Sequence, residues 1–222
     1  MDLVQAIAER KSYRAFKPDP VPLDVLRRIM EQALRAPSWA NTQPWEFAVA
    51  AGAKLKAIQD AFVTRGMRES RSEIPRPFDF PEPFMGRIRA LQPKDRQEMT
   101  PEEMKQRWLS NFRHYGATTC IYLLIQRNFY FQPGGINSWP LYDSGACVQN
   151  IMLLATAEGL GTVPQAQAVV YPDIIHDVLG IPDDKAVALG IAIGYPDETA
   201  PDYASRTPRE PLERVVTFYG YR

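Results

Sequence analysis

Cysteine and histidine are scarce in this chain, with two of each among 222 residues. Cys120 and Cys147 each lie inside an apolar run (TTCIYLLI and GACVQNIMLL). That setting predicts two buried, reduced thiols, not a disulfide framework, and so a reducing compartment, the cytoplasm. His114 and His176 have no Cys, Asp or Glu at metal-ligand spacing, so no metal site is expected. His176 reads as a helix-surface or packing residue, and His114, near a helix end, as a cation suited to the helix dipole. There is no G-x-G-x-x-G after a strand, no G-x-x-x-x-G-K-S/T loop, no G-x-S-x-G and no S-x-x-K. Dinucleotide-binding Rossmann folds, P-loop nucleotide binding and serine hydrolysis therefore lack support. No run approaches the roughly 20 apolar residues of a membrane span, and the first residues do not pattern as a secretory signal. An excess of charge of one sign is missing too. The 26 basic residues balance 26 acidic ones, which argues against a nucleic acid or an anionic membrane as partner. With no evident nucleophile, base or metal, the chemistry would fall to an organic cofactor.

Apolar periodicity organises most of what remains. Leu3, Val4, Ile7 and Ala8 share one face of a short helix over residues 2–9, which runs into Arg10-Lys11-Ser12-Tyr13-Arg14. A second helix starts at Pro22 and stops before Pro37. Trp45–Ala51 patterns as a strand and Ala53–Phe62 as a helix. From Arg65 to about Thr100 prolines crowd together, yet Phe78, Phe80, Phe84 and Met85 are too apolar for a solvated linker. This stretch is expected to be an ordered excursion over a site, followed by a helix from Pro101 to Phe112 capped by Thr100. Thr118–Gln126 is the continuous apolar run of a strand covered on both faces. Leu141–Ala157, apolar nearly all round, predicts a central buried helix ending near Gly159. Val163–Ala168 and Ala186–Ile193 read as strands, Tyr171–Leu179 as a helix and Val215–Tyr219 as strand-like. The sum is a single α+β domain over residues 1–222, with helices around a small central sheet.

Two segments gather chemistry. Arg10-Lys11-Ser12-x-Arg14, joined by Arg206 and Arg209 from the far end, offers planar donor forks and a hydroxyl suited to a phosphate monoester. A solvated basic patch explains the same charges equally well. Pro37-Ser38-Trp39-Ala40-Asn41-Thr42-Gln43-Pro44-Trp45 brackets amide side chains between prolines, as a loop that hydrogen-bonds a heterocycle edge requires. The alternative is an ordinary turn, although a turn alone seldom needs three prolines and two tryptophans.

Together these segments resemble the nitroreductase family, whose N-terminal hallmark R-(R/K)-S-x-R precedes A-P-S-x-x-N-x-Q-P-W. Here they read RKSYR and APSWANTQPW. Gly159-Leu160-Gly161-Thr162, Gly194-Tyr195-Pro196 and Arg209-Glu210-Pro211-Leu212 follow in the family's order, so the match spans nearly the whole chain. It is least good from Arg65 to Thr100. The resemblance implies an FMN-dependent enzyme that takes electrons from NAD(P)H in a ping-pong scheme and gives them to nitroaromatic or quinone-like acceptors. It implies an intertwined homodimer with C-terminal strand exchange around a mixed or antiparallel sheet, and a variable lid over 65–112. Arg10, Ser12 and Arg209 would hold the FMN phosphate and ribityl chain, supported by Lys11, with Arg206 a lesser candidate. Arg14 would lie at the flavin N1–C2=O edge, where a guanidinium favours the reduced, negatively charged flavin and raises its potential. Pro37, Ser38 and Asn41 would come from the other subunit onto the ring, with Gln43 holding their loop. Pro164 and Gln165 would sit where the family presents backbone donors near N5, although PQAQA departs from the glycine-rich or acidic segment of many relatives. Phe78, Phe80, Phe84 and Trp108 are lid residues that either stack on an acceptor or pack the excursion onto its own core. Reductive dehalogenation or flavin fragmentation on the same fold, and a non-catalytic flavin carrier, are the competing functions. The acidic and phenolic lid pair of the dehalogenating relatives has no clear counterpart here.

Overall fold

A computed structural model describes residues 1–66, 71–75, 77, 79–91 and 99–221. Its centre is a four-stranded antiparallel sheet in the order β1-β2-β6-β5. The strands are β1 (Trp45–Ala51), β2 (Thr119–Gln126), β5 (Gly161–Gln165) and β6 (Lys185–Gly194). A separate two-residue ladder, β3 (Phe131–Gln132) with β4 (Gly135–Ile136), lies between β2 and β5 in the chain.

The continuous apolar run of β2 is explained by cover on both faces. Ile121, Leu123 and Ile125 point into one core; Cys120, Tyr122 and Leu124 point into the other. The period of two along the strand thus sorts alternate residues to opposite sides. The first core is closed by helices α2 (Leu23–Ala33) and α7 (Trp139–Ala157), with Ile29, Ala33, Cys147 and Ile151 at its centre. The second is closed by α3 (Gly52–Arg65), α5 (Pro101–Phe112) and α8 (Pro172–Leu179). In it Phe62, Phe112 and Tyr171 meet edge to face at 5.4 to 5.8 Å. Cys120 and Cys147 belong to different cores, both unpaired, and burial pushes their thiols up to about 12 and about 11.

Helix α5 begins as its sequence predicts. The Thr100 hydroxyl accepts from the Glu103 amide and the Glu103 carboxylate accepts from the Thr100 amide, a capping box. Three other expectations need correction. In α1 (Leu3–Glu9) only Ala6 is buried, and Leu3, Val4 and Ile7 face outward within this chain. Within the single chain Val215–Tyr219 pairs with no strand among the described residues; a short helix, α9 (Leu212–Val215), leads into exposed chain. His114 is no helix-end cation: it is fully buried, and burial drives its pKa down to about 4, against a smaller opposing pull from the Phe112 carbonyl.

The 65–100 excursion contains a helix that the proline pattern concealed, α4 (Phe84–Ala90). A further turn, α6 (Arg127–Tyr130), follows β2. Glu73 straps the described part of the excursion to the body. Its carboxylate pairs with Arg127, accepts from the Val187 amide at 2.6 Å and lies 3.3 Å from His176 Nε2. Val187 lies on β6 beyond the last rung with β5, so Glu73 satisfies an edge amide. Phe78 lies outside the described residues.

Candidate functional site

The N-terminal basic segment is laid along β5. Ser12 bridges Thr162 in parallel, and the Tyr13 amide donates to the Thr162 carbonyl at 3.1 Å. Gly161 permits this approach, because a Cβ there would stand 2.7 Å from the Tyr13 ring. The segment then leaves β5, and Phe16 bridges Pro196. Arg10, Ser12 and Arg14 are thereby brought beside the strand that carries Pro164 and Gln165.

The two chain ends meet in this structure. Arg10 is half-buried, and its guanidinium is shifted below its ordinary value by burial and then by the charge of Arg209. Among the described residues no acid enters that shift, so the two like charges lie near enough to act on each other. Such an arrangement is unfavourable by itself and becomes favourable with an anion between the two groups. Arg209 is oriented by donating to the Thr207 carbonyl and hydroxyl and to the Pro208 carbonyl, at 2.8 to 3.0 Å. Arg206 has a different partner: it donates to the Ala8 carbonyl at 2.5 Å, at the C-terminal end of α1. The Lys11 ammonium stands over the Tyr13 and Tyr203 rings at 4.9 and 4.3 Å. It lines a cavity of about 660 Å³ with Arg206, separate from the one lined by Arg14.

Arg14 opens onto a cavity of about 830 Å³. Met104, Arg107, Trp108 and Asn111 of α5 form its wall, and their spacing of three, four and seven residues is one helical face. Tyr115 lies beneath. Its phenol donates to Asn111 Oδ1 at 2.5 Å; burial raises its pKa, and Arg14 beside its oxygen lowers it. His114 and Tyr115 both adopt left-handed backbone, with φ of 52° and 56°. This costs free energy for non-glycine residues and turns Tyr115 toward the cavity. The Gln165 side chain is buried and donates to the Asn111 carbonyl at 3.3 Å. Its Oε1 and the Thr162 hydroxyl are buried with no partner among the described residues. Buried polar atoms without partners call for a ligand or solvent to complete them. Arg107, Asn111 and Tyr115 were not anticipated from the sequence; the mixed polar and apolar face of α5 was the readable sign.

The Pro37–Pro44 loop stands apart from that cavity within one chain. Ala40, Asn41 and Gln43 are left-handed, with φ of 48°, 57° and 45°. The Gln43 amide donates to Ser38 Oγ at 2.9 Å, and its side chain donates to Asn41 Oδ1 at 3.2 Å. The Trp39 amide donates to the buried Asp143 carboxylate of α7 at 3.0 Å. Pro37 and Asn41 are exposed, and Trp39 stacks obliquely with Trp139 at 5.7 Å. Of the lid aromatics, Phe80 and Phe84 are exposed, with the Arg87 guanidinium over Phe84. Trp108 packs on Phe112 at 3.8 Å while edging the cavity.

A small antiparallel sheet between helical layers, with a basic N-terminal segment laid on one edge strand, defines an α+β fold of the nitroreductase type. A model of the nitroreductase family matches residues 7–195, and the chain belongs to that family. It is 31% identical to the nitroreductase NfnB of Mycolicibacterium smegmatis, over 98% of this chain and 94% of that protein. It is 29% identical to a 4-nitrobenzoate reductase of a Nocardioides species, over 94% of this chain and 86% of that protein. Among solved structures, the FMN-dependent NfnB of Mycobacterium smegmatis in complex with NADPH superposes with a TM-score of 0.87 at 28% identity, covering 98% of this chain and 100% of that one.

Proposed function

We propose that this protein is an NAD(P)H-dependent nitroreductase-type flavoenzyme that holds FMN between its two chain ends and passes electrons to nitroaromatic or quinone-like acceptors. The observation that carries the reading is the meeting of the two chain ends: Arg206 donates to the Ala8 carbonyl, and the charge of Arg209 acts on the half-buried Arg10 guanidinium two residues before Ser12. The residues fit the group. Two guanidinium groups and a hydroxyl suit a phosphate, and the unpartnered Thr162 hydroxyl and Gln165 oxygen lie along the adjoining strand.

Bound FMN would supply the electron transfer, accepting from NAD(P)H and giving to the acceptor in separate turns, a ping-pong scheme. The chain's own part is to bind and orient. Arg10, Ser12 and Arg209 hold the phosphate end, with Lys11 and Arg206 bracing the segment from their own side contacts. Arg14, steadied by Tyr115, places a positive charge at the N1–C2=O edge. Gln165 would offer a backbone donor near N5, where Pro164, which has no N–H, would only set the course of the strand. Pro37, Ser38 and Asn41, on a loop held by Gln43 and Asp143, reach the ring of a second copy, in a homodimer whose C-terminal segments exchange. The whole chain acts as one domain, with 65–112 as its lid. No helix among the described residues is long and apolar enough to cross a membrane, and the two buried thiols suit the cytoplasm.

The test is direct. Purified protein should show the visible absorption of bound flavin, and NADPH should be consumed only when a nitroarene or quinone is added. A colourless preparation that does not take up FMN would refute the reading, and flavin binding without such turnover would leave a carrier.

A further inference from the structure

The cavity beside Arg14 is cationic in a chain without net charge. Among the described residues Arg14, Lys105 and Arg107 line it against a single acid, Asp202, whose charge acts on Lys11. Lys105 is partly compensated by Glu102 at 3.7 Å. Arg107 is not: among the described residues no carboxylate pairs with it, and its charge acts with that of Arg14 on the Tyr115 phenol. Arg107 lies one helical turn from both Met104 and Asn111 and next to Trp108, so an apolar flank adjoins its guanidinium. If Arg14 serves the cofactor, Arg107 is the guanidinium left to meet the acceptor. A guanidinium at the edge of an apolar slot recognises a flat molecule with a planar anion at one end.

We propose that Arg107 forms an anion subsite, so that the preferred acceptors are aromatic compounds bearing a carboxylate. This rests on the reading of the protein as a nitroreductase-type enzyme and adds to it a specificity-determining residue. A neutral aromatic should enter the slot but gain nothing from Arg107. The 2′-phosphate of NADPH is the competing anion, and the test separates the two.

Holoenzyme reduced with dithionite is mixed with 4-nitrobenzoate or with its methyl ester, for the natural protein and for Arg107→Gln. The natural protein is expected to saturate with the acid at about tenfold lower concentration than with the ester, the effect of roughly one charge-assisted contact. Arg107→Gln should abolish that preference while changing the ester less than about twofold by the same argument. Equal loss for acid and ester would overturn the proposal, as would no preference in the natural protein. Slower reduction of Arg107→Gln by NADPH but not by NADH, with the acid preference intact, would assign Arg107 to the donor's phosphate and also overturn it. Calorimetric binding of benzoate against benzamide tests the subsite without turnover. Benzoate binding lost in Arg107→Gln supports the subsite even if neither nitro compound is reduced, a result that would sink only the functional reading. Equal binding of the two ligands by the natural protein rejects the subsite.

Discussion

In the proposed site, Arg10 and Arg209 are like charges that an anion between them would reconcile. If both hold the phosphate, replacing either residue with alanine is expected to remove a charge-assisted contact worth roughly 1.5–3 kcal/mol, equivalent to about 10- to 150-fold weaker FMN binding. Thermal stability of the flavin-free protein should hold or rise slightly, because the repulsion is relieved. Fluorescence titration of FMN into both variants checks this, and unchanged affinity would remove the pair from the phosphate site. His114 illustrates the opposite case, a titratable group kept neutral by burial. Its folded pKa of about 4 lies below the ordinary value of 6.5, so the unfolded chain binds this proton more readily. The contribution of the neutral side chain is therefore fully present above about pH 6.5 and is lost as pH falls toward 4, by roughly 3 kcal/mol. His114→Asn, which tolerates left-handed backbone, should flatten the dependence of urea-unfolding stability between pH 7 and 4. An equally steep dependence in the variant would mean another group dominates.

Elements show where sequence patterning was readable and where it was not. The capping box of α5 and the two-sided burial of β2 follow from local residue choice, and both were legible from the residues themselves. The strap at Glu73 was not. Its partners Arg127, His176 and Val187 are 54, 103 and 114 residues away, and no local pattern links them. Glu73→Ala leaves the Val187 amide without its acceptor and the Arg127 guanidinium with only the Asp183 carbonyl. The expected cost is roughly 2–4 kcal/mol in denaturant unfolding, with faster amide exchange over residues 71–75. A change below about 0.5 kcal/mol would show the strap to be a surface contact only. The α5 face of Met104, Arg107, Trp108 and Asn111 was legible in spacing but disguised in composition, because a face turned to a ligand cavity need not be apolar.

At the scale of the whole molecule, apolar surface remains to be covered. Leu3, Val4 and Ile7 on α1, and Val215, Phe218, Tyr219 and Tyr221 in the tail, are exposed in the single chain. Patches of this kind mark an interface, which accords with the proposed dimer. Deleting residues 212–222 is expected to convert a dimer into a monomer in analytical ultracentrifugation and to weaken FMN retention. A truncated protein that stays dimeric with full flavin would exclude tail exchange as the source of assembly. The sequence alone determined the order and type of most elements, the nitroreductase resemblance and the candidate phosphate and ring-loop residues, because these depend on residue choice over short spans. Tertiary structure decided that Arg206 caps α1, that His114 is neutral and that Tyr115 and Arg107 face the cavity. Each of those outcomes depends on burial and on charges meeting across long stretches of chain, which no local pattern records.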